Sequence, residues 1–469
     1  MDRRYAMATA GPQPYAPGVA GQGAPSEDDD VIGLSRVMRP EAWLVCSAFL
    51  GMLFAPQIGS KGPMIMLAVS AVLMFRNPPN MVIGTIANWP MLIFPSYCLL
   101  SVLWSYAPSD TARASVELIV TFLFAFQLAR ERPRGSIVTG IFMAFLIYDV
   151  IALVLGHKVT VGNFGDKAFS GLNGGKNYQA DTSTLGLFTA VAFMVDTNPL
   201  KRPFSIMVAT AAALLHIILV IKAKSAGAYA GLVVGAGVIA GFAMLRKAAP
   251  STRVTAILLF VFFGGLISIF QGQIADAVLT YFGKDTTLTG RSYLWYRAQG
   301  IIADHPVEGQ GYNAFWLKGN SDAEGLWRWG NISTRTGFNF HNTYYETLVA
   351  LGVVGLVLLV TTWVGSVVRV VREYVRQPDV VLCFWLGILA YEMFRTPFES
   401  IGPGPLQFST VLYLSAMAAT GVAIQPGGAP AGVPYAEGRS SRSAQRSRPL
   451  WRTARAQPAG LPHPQTPAT

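Results

Sequence analysis

Charged residues are scarce in this sequence, at 13% of its 469 positions against 52% hydrophobic. Soluble domains carry roughly 25% charged residues, so the composition excludes a soluble enzyme and implies an integral membrane protein. The two-residue alternation of a membrane barrel strand is missing too, which leaves helices as the spanning element. Cysteine is sparse. Cys46, Cys98 and Cys383 each lie inside an apolar run at spacings that fit no zinc site, and they read as small buried hydrophobes. The first forty residues contain no apolar stretch of the kind found in a removable signal peptide, so targeting would fall to the first membrane helix. No phosphate-binding loop, HExxH or dinucleotide fingerprint occurs. The one tight acidic run, Asp28 to Asp30, sits in a Gly- and Pro-rich tail and is a poor metal site. Phosphate chemistry in this chain is therefore expected to rest on Arg and Lys, with no metal and no cofactor.

What the sequence has is a series of apolar runs, each near the roughly 17–25 residues that cross about 30 Å of hydrocarbon as a helix. They fall at 42–58, 62–76, 81–104, 112–130, 135–156, 180–196, 203–221, 225–245, 254–271, 343–368, 379–395 and 405–424. The expected fold is an all-α polytopic membrane protein of about twelve transmembrane helices. Residues 1–40 read as a disordered cytoplasmic tail, 41–271 as helices 1–9, 272–342 as a large outward loop, 343–425 as helices 10–12, and 426–469 as a disordered basic tail. With a cytoplasmic N-terminus, every inward segment carries Arg or Lys, among them Arg76, Arg130, Arg202, Arg253 and Arg372. The outer loops between the third and fourth runs and between the eleventh and twelfth have almost none, which is the positive-inside pattern and puts both termini in the cytoplasm. The net charge of +11 is thus largely topological. A basic tail beside anionic lipid explains Arg439 to Arg455 more simply than nucleic-acid binding does.

The loop 272–342 is too long and too patterned to be only a connector. Thr289-Gly290-Arg291 opens a helical pattern that puts Leu294, Trp295, Ala298, Ile301 and Ile302 on one face. An amphipathic helix lying on the outer leaflet, with Arg291 at its N-terminal end, would hold a phosphate. His305-Pro306, with Gly309 and Gly311, has the composition of a shaped turn. His341 precedes Asn342-Thr343-Tyr344, and Thr343 with Glu346 has the form of a capping box for the next helix. The positive end of that helix favours a neutral imidazole able to accept a proton. The alternative is a polar interfacial residue that satisfies a backbone group. Lys176, Lys224 and Arg395 also fall at outer helix ends, and Gly175 would let the backbone approach a ligand beside Lys176. Such residues either snorkel or converge on an anion.

These elements, in this order, resemble the O-antigen ligase and Wzy-type polysaccharide polymerase superfamily. The resemblance covers about residues 40 to 425. It rests on Trp104-Ser105 with Pro108, Lys176-Asn177, Lys224-Ser225, Thr289-Gly290-Arg291 with Trp295, His305-Pro306 with Gly309 and Gly311, and His341-Asn342-Thr343-Tyr344 with Gly352 and Gly355. It implies a GT-C-type glycosyltransferase of the bacterial inner membrane. The donor would be an undecaprenyl-diphosphate-linked glycan, used at the periplasmic face. His341 matches a histidine acting as base or orienting the acceptor, and Arg291 an arginine that binds the leaving diphosphate. Lys224 falls where many members have a second arginine, and Lys176 and Arg395 would add diphosphate contacts. Asn342, Tyr344 and His305 would position the acceptor and the loop. Lysine lacks the two-pronged geometry of arginine, so the match at Lys224 is a departure.

The leading function is exopolysaccharide polymerase, because Gly175-Lys176-Asn177 resembles the Lys-Asn element of that branch. The alternative is an O-antigen ligase, whose acceptor is lipid A–core. A chain-length regulator and export proteins are the expected partners. A flippase for lipid-linked oligosaccharide is the reading from another class. It should show repeat-related halves, and the sequence has no internal repeat.

Overall fold

The computed structural model describes residues 37–131, 133–161, 166–173, 175–196, 202–281, 291–335, 338–401 and 404–419. Residues 1–36 of the expected N-terminal tail, the expected C-terminal tail and the Thr289-Gly290 pair lie outside the described residues. The helices are α1 (Pro40–Leu53), α2 (Ala55–Ile58), α3 (Lys61–Arg76), α4 (Pro78–Asn88), α5 (Ile93–Leu100), α6 (Pro108–Arg130), α7 (Arg134–Leu155) and α8 (Lys176–Asp196). They continue as α9 (Pro203–Ala223), α10 (Ala226–Leu245), α11 (Pro250–Tyr281), α12 (Arg291–Asp304), α13 (Ser321–Trp329), α14 (Thr343–Arg376), α15 (Val380–Arg395) and α16 (Phe408–Ala418). Among the described residues, six segments are long and apolar enough to cross a membrane: Pro78–Leu103 and helices α6, α7, α9, α10 and α14.

Proline sets several starts. Pro40, Pro108 and Pro203 stand at the first helical position, where no N–H is needed. Pro90 lies in the 3-10 turn that joins α4 to α5. Valines 353, 357, 360, 364 and 368 of α14 and Leu258 to Phe263 of α11 are exposed. Apolar faces this continuous match hydrocarbon rather than water.

The helical layout carries three additions. A short hairpin, β1 (His157–Val161) antiparallel to β2 (Asp166–Gly171), lies between α7 and α8. α8 begins four residues before the expected span, because its first turns are polar and fall below any apolar window. α11 runs to Tyr281, ten residues past the apolar run that ends at 271.

Charged and polar groups inside the bundle are tied between helices. Asp149 of α7 accepts from Gln179 of α8 at 2.9 Å and lies 2.7 Å from His216 Nδ1 of α9, all three fully buried. At the opposite helix ends from Arg291 and His341, Arg134 pairs with Asp379 at 3.0 Å and Arg253 donates to the Val375 carbonyl at 2.6 Å.

The element that shapes the site is a break in α14. Gly352 has φ 63 and ψ −165, which splits the helix into a short segment, Thr343–Leu351, and a long one from Val353. An unbroken helix would bond Val353 N to Val349 O and Val354 N to Ala350 O. The turn at 306–311 takes both pairs of orphaned groups. Gln310 N and Gly311 N donate to the Val349 and Ala350 carbonyls at 3.0 and 2.9 Å. Val353 N and Val354 N donate to the Pro306 and Val307 carbonyls at 2.9 and 3.3 Å. The contact is backbone on backbone: a Cβ at Gly352 would lie 2.2 Å from Val307, and one at Gly309 2.4 Å from Leu351 N. The residues at the end of the third apolar run anchor this clasp, with Trp104 Nε1 donating to the Glu308 carbonyl at 3.1 Å and Tyr106 N to the Gln310 carbonyl at 3.0 Å.

Gly352→Ala should therefore cost about 1–3 kcal/mol from the left-handed backbone alone, and more from the displaced clasp. A thermal melt in detergent checks this; a melting temperature equal to wild type would contradict the clasp.

Candidate active site

Three consecutive residues at the start of α14 grip the segment that follows α15. Asn342 caps the helix, its Oδ1 accepting from Tyr344 N and Tyr345 N at 2.9 and 3.1 Å, while its Nδ2 donates to the Pro397 carbonyl at 3.0 Å. Thr343 N donates to the Thr396 carbonyl at 2.9 Å. Its Oγ1 meets the Glu399 carbonyl and Ile401 N, at 2.9 and 2.8 Å. The Tyr344 hydroxyl lies 3.0 Å from Thr396 Oγ1. The capping box expected from Thr343 and Glu346 is thus replaced by an asparagine cap. Glu346 instead accepts from Phe340 N and Trp316 Nε1 at 3.0 and 2.8 Å.

This grip presents Glu399 to three donors. His341 Nδ1 lies 3.1 Å from Oε2, Arg291 donates to Oε1 at 3.0 Å, and Asn177 Nδ2 donates to Oε1 at 3.1 Å. Burial alone would raise the Glu399 carboxyl, but the His341 hydrogen bond and the charges of Arg291, His341 and Arg395 outweigh it and hold it below the usual range. An ionised carboxylate only accepts, so His341 carries its proton on Nδ1. In the neutral ring Nε2 is then the acceptor, the arrangement of a base oriented by a carboxylate. His341 adopts φ 50, and Asn339 Oδ1 accepts its N–H at 2.8 Å. A left-handed histidine is a strained choice of the kind that gathers at functional sites.

The lysines arrive from the same side. Lys176 opens α8 beside Asn177, and its Nζ donates to the Lys224 carbonyl at 3.4 Å. Lys224 itself ends α9 in the left-handed region, φ 50 and ψ 45.

Arg395 departs from expectation. It is buried, bonds Asp181, lies 3.5 Å from Glu392 and stacks 4.6 Å above the Tyr391 ring. Asp181, Glu392 and Glu399 thus match cations here, and Arg395 ties α8 to α15. His305 is exposed, 3.4 Å from Glu308, and only begins the clasp. The helix behind Arg291 does not lie apolar face down on a leaflet. Leu294, Ala298 and Ile301 pack with Phe315, Leu326, Trp327 and Val349 into a small aromatic core of the loop itself. Arg297 is at the surface, 3.0 Å from Asp322.

Sequence reasoning missed the central role of Glu399. The signal available was a lone carboxylate in the short Pro- and Gly-rich stretch between two apolar runs, close in sequence to Arg395.

Helices of spanning length and composition, with a polar cluster of His, Arg, Lys and Glu at their ends, define a multi-pass membrane protein with a buried-charge site. Residues 211–360 match the Wzy_C family model, described as O-antigen ligase, and this region contains Lys224, Arg291, His341 and Gly352. The chain is also 29% identical over 318 residues to the exopolysaccharide production protein ExoQ of Rhizobium meliloti, covering 66% of this chain and 72% of the relative. Both similarities point to the O-antigen ligase and Wzy-type polysaccharide polymerase superfamily, which the chain resembles over these stretches.

Proposed function

We propose that the protein is a membrane glycosyltransferase that polymerises undecaprenyl-diphosphate-linked repeat units into exopolysaccharide at the periplasmic face. It would span the bacterial inner membrane twelve times, with both termini cytoplasmic. The observation that carries the reading is the convergence of His341, Arg291 and Asn177 on Glu399. An acceptor hydroxyl attacks the anomeric carbon and gives its proton to His341 Nε2. The bond from that carbon to the diphosphate oxygen breaks, and the diphosphate leaves with the electron pair. Arg291, with Lys176 and Lys224, stabilises the developing charge; such preorganised electrostatics is usually the largest catalytic term. Arg395 holds α8 and α15 in place for this, and a base of this kind supplies about 10²- to 10⁴-fold.

The O-antigen ligase reading uses the same site with lipid A–core as acceptor, and the family description supports it. The name of the relative favours exopolysaccharide. Against a flippase, the break in α14 lies near the site end of that helix rather than at its middle. The test is protein reconstituted with undecaprenyl-diphosphate-linked repeat units, in buffer containing EDTA. A polymerase releases undecaprenyl diphosphate and lengthens the glycan; a ligase requires added lipid A–core; a flippase moves the substrate and releases nothing.

A further inference from the structure

A cavity of about 460 Å³ opens beside the His341–Glu399 pair, within the range of small-molecule sites. One wall is the short helix Thr343–Leu351, set at its angle by the break at Gly352; Thr343, Thr347 and Ala350 face the cavity. The facing wall is aromatic, with Trp316, Trp327 and Phe338, and the rim adds the amides of Asn313 and Gln407. Trp327 is 2% exposed, and its indole N–H has no hydrogen-bond partner. Buried indole N–H groups usually find an acceptor.

The charged groups here are already committed. Arg335 lies 3.2 Å from Glu324, and both oxygens of Glu346 accept hydrogen bonds. None of Lys176, Lys224, Arg291 or Arg395 lines the cavity. What is left is flat aromatic surface with neutral donors and acceptors, which suits an uncharged polyhydroxylated ring and not a diphosphate. The cavity also adjoins the proposed base: the Phe338 ring meets the His341 ring edge-on at 6.2 Å.

We infer that this cavity is the acceptor-sugar subsite, holding the neutral sugar residue whose hydroxyl attacks. The inference rests on the transferase reading above. Ala350→Phe fills the cavity from the helix side without touching any cation, and Gln407→Ala trims the rim.

The experiment uses full-length protein in nanodiscs. The lipid-free oligosaccharide freed by mild acid from the lipid-linked repeat unit is titrated as acceptor, against separately varied donor. Ala350→Phe should raise the half-saturating oligosaccharide concentration about tenfold or more, because the ring takes the space the sugar would occupy; tenfold is about 1.4 kcal/mol of lost binding. The donor's half-saturation should move less than about twofold. Should Ala350→Phe fail to fold by its melting curve, Gln407→Ala carries the test with the same selective rise. Unchanged oligosaccharide dependence, or a rise in the donor's half-saturation instead, overturns the subsite. Failure of the transferase reading looks different: wild type then releases no undecaprenyl diphosphate at any concentration.

Discussion

Glu399→Gln is expected to lower transferase turnover about 10²- to 10⁴-fold while the protein stays folded. The fold survives because Asn342, Thr343 and Tyr344 hold the 396–401 segment through Thr396, Pro397 and backbone groups of 399–401, not through the carboxylate. Activity falls because an amide donates as well as accepts. It can force the proton of His341 onto Nε2, and it withdraws the charge that orients Arg291. The same residue sets an acid limb in stability. The carboxyl of Glu399 is held below the ordinary 4.5 of a glutamate, by His341, Arg291 and Arg395 against its burial. A depressed folded pKa gives stability that is fully present above the unfolded value and lost as pH falls through the folded one. Wild type should therefore lose melting temperature below about pH 4.5, and Glu399→Gln should show a flatter acid limb over that range. A variant with wild-type turnover would remove Glu399 from the account.

Arg291→Ala is expected to reduce kcat about 10²- to 10³-fold, the loss typical of removing one preorganised electrostatic donor. Arg291 heads α12, whose buried face is fixed by Leu294, Ala298 and Ile301, so the truncation removes a guanidinium and little packing. Arg291→Lys should recover only part of the rate, because an ammonium lacks the planar fork. Steady-state kinetics with the lipid-linked donor check both variants. A change confined to KM would show that Arg291 binds the ground state and contributes nothing extra as the leaving group departs.

Much of this was legible in the sequence because hydropathy acts over whole helices. The apolar runs fall on helices, and the face Leu294, Ala298, Ile301 is the buried one. The His-Asn-Thr-Tyr and His-Pro motifs were visible as patterns, but their partners were not. His341 meets a carboxylate 58 positions away, and Gly309 meets a helix break 43 positions on; separations of that kind leave no local trace. The same limit explains Arg395. It was expected as a diphosphate contact from its place at a helix end, whereas Asp181 on α8, a distant element, pairs with it. Lys176 and Lys224 were placed at helix ends by pattern alone. That they meet follows from the packing of α8 against α9.

The most direct measurement is a double-mutant cycle on turnover with His341→Ala, Glu399→Gln and the pair. If Glu399 acts through His341 and Arg291, the double variant should be far less impaired than the product of the single losses, because once the base is gone its orienting carboxylate has little left to orient. Losses that multiply would mean the two residues act independently, and the oriented-base account of this site would fail.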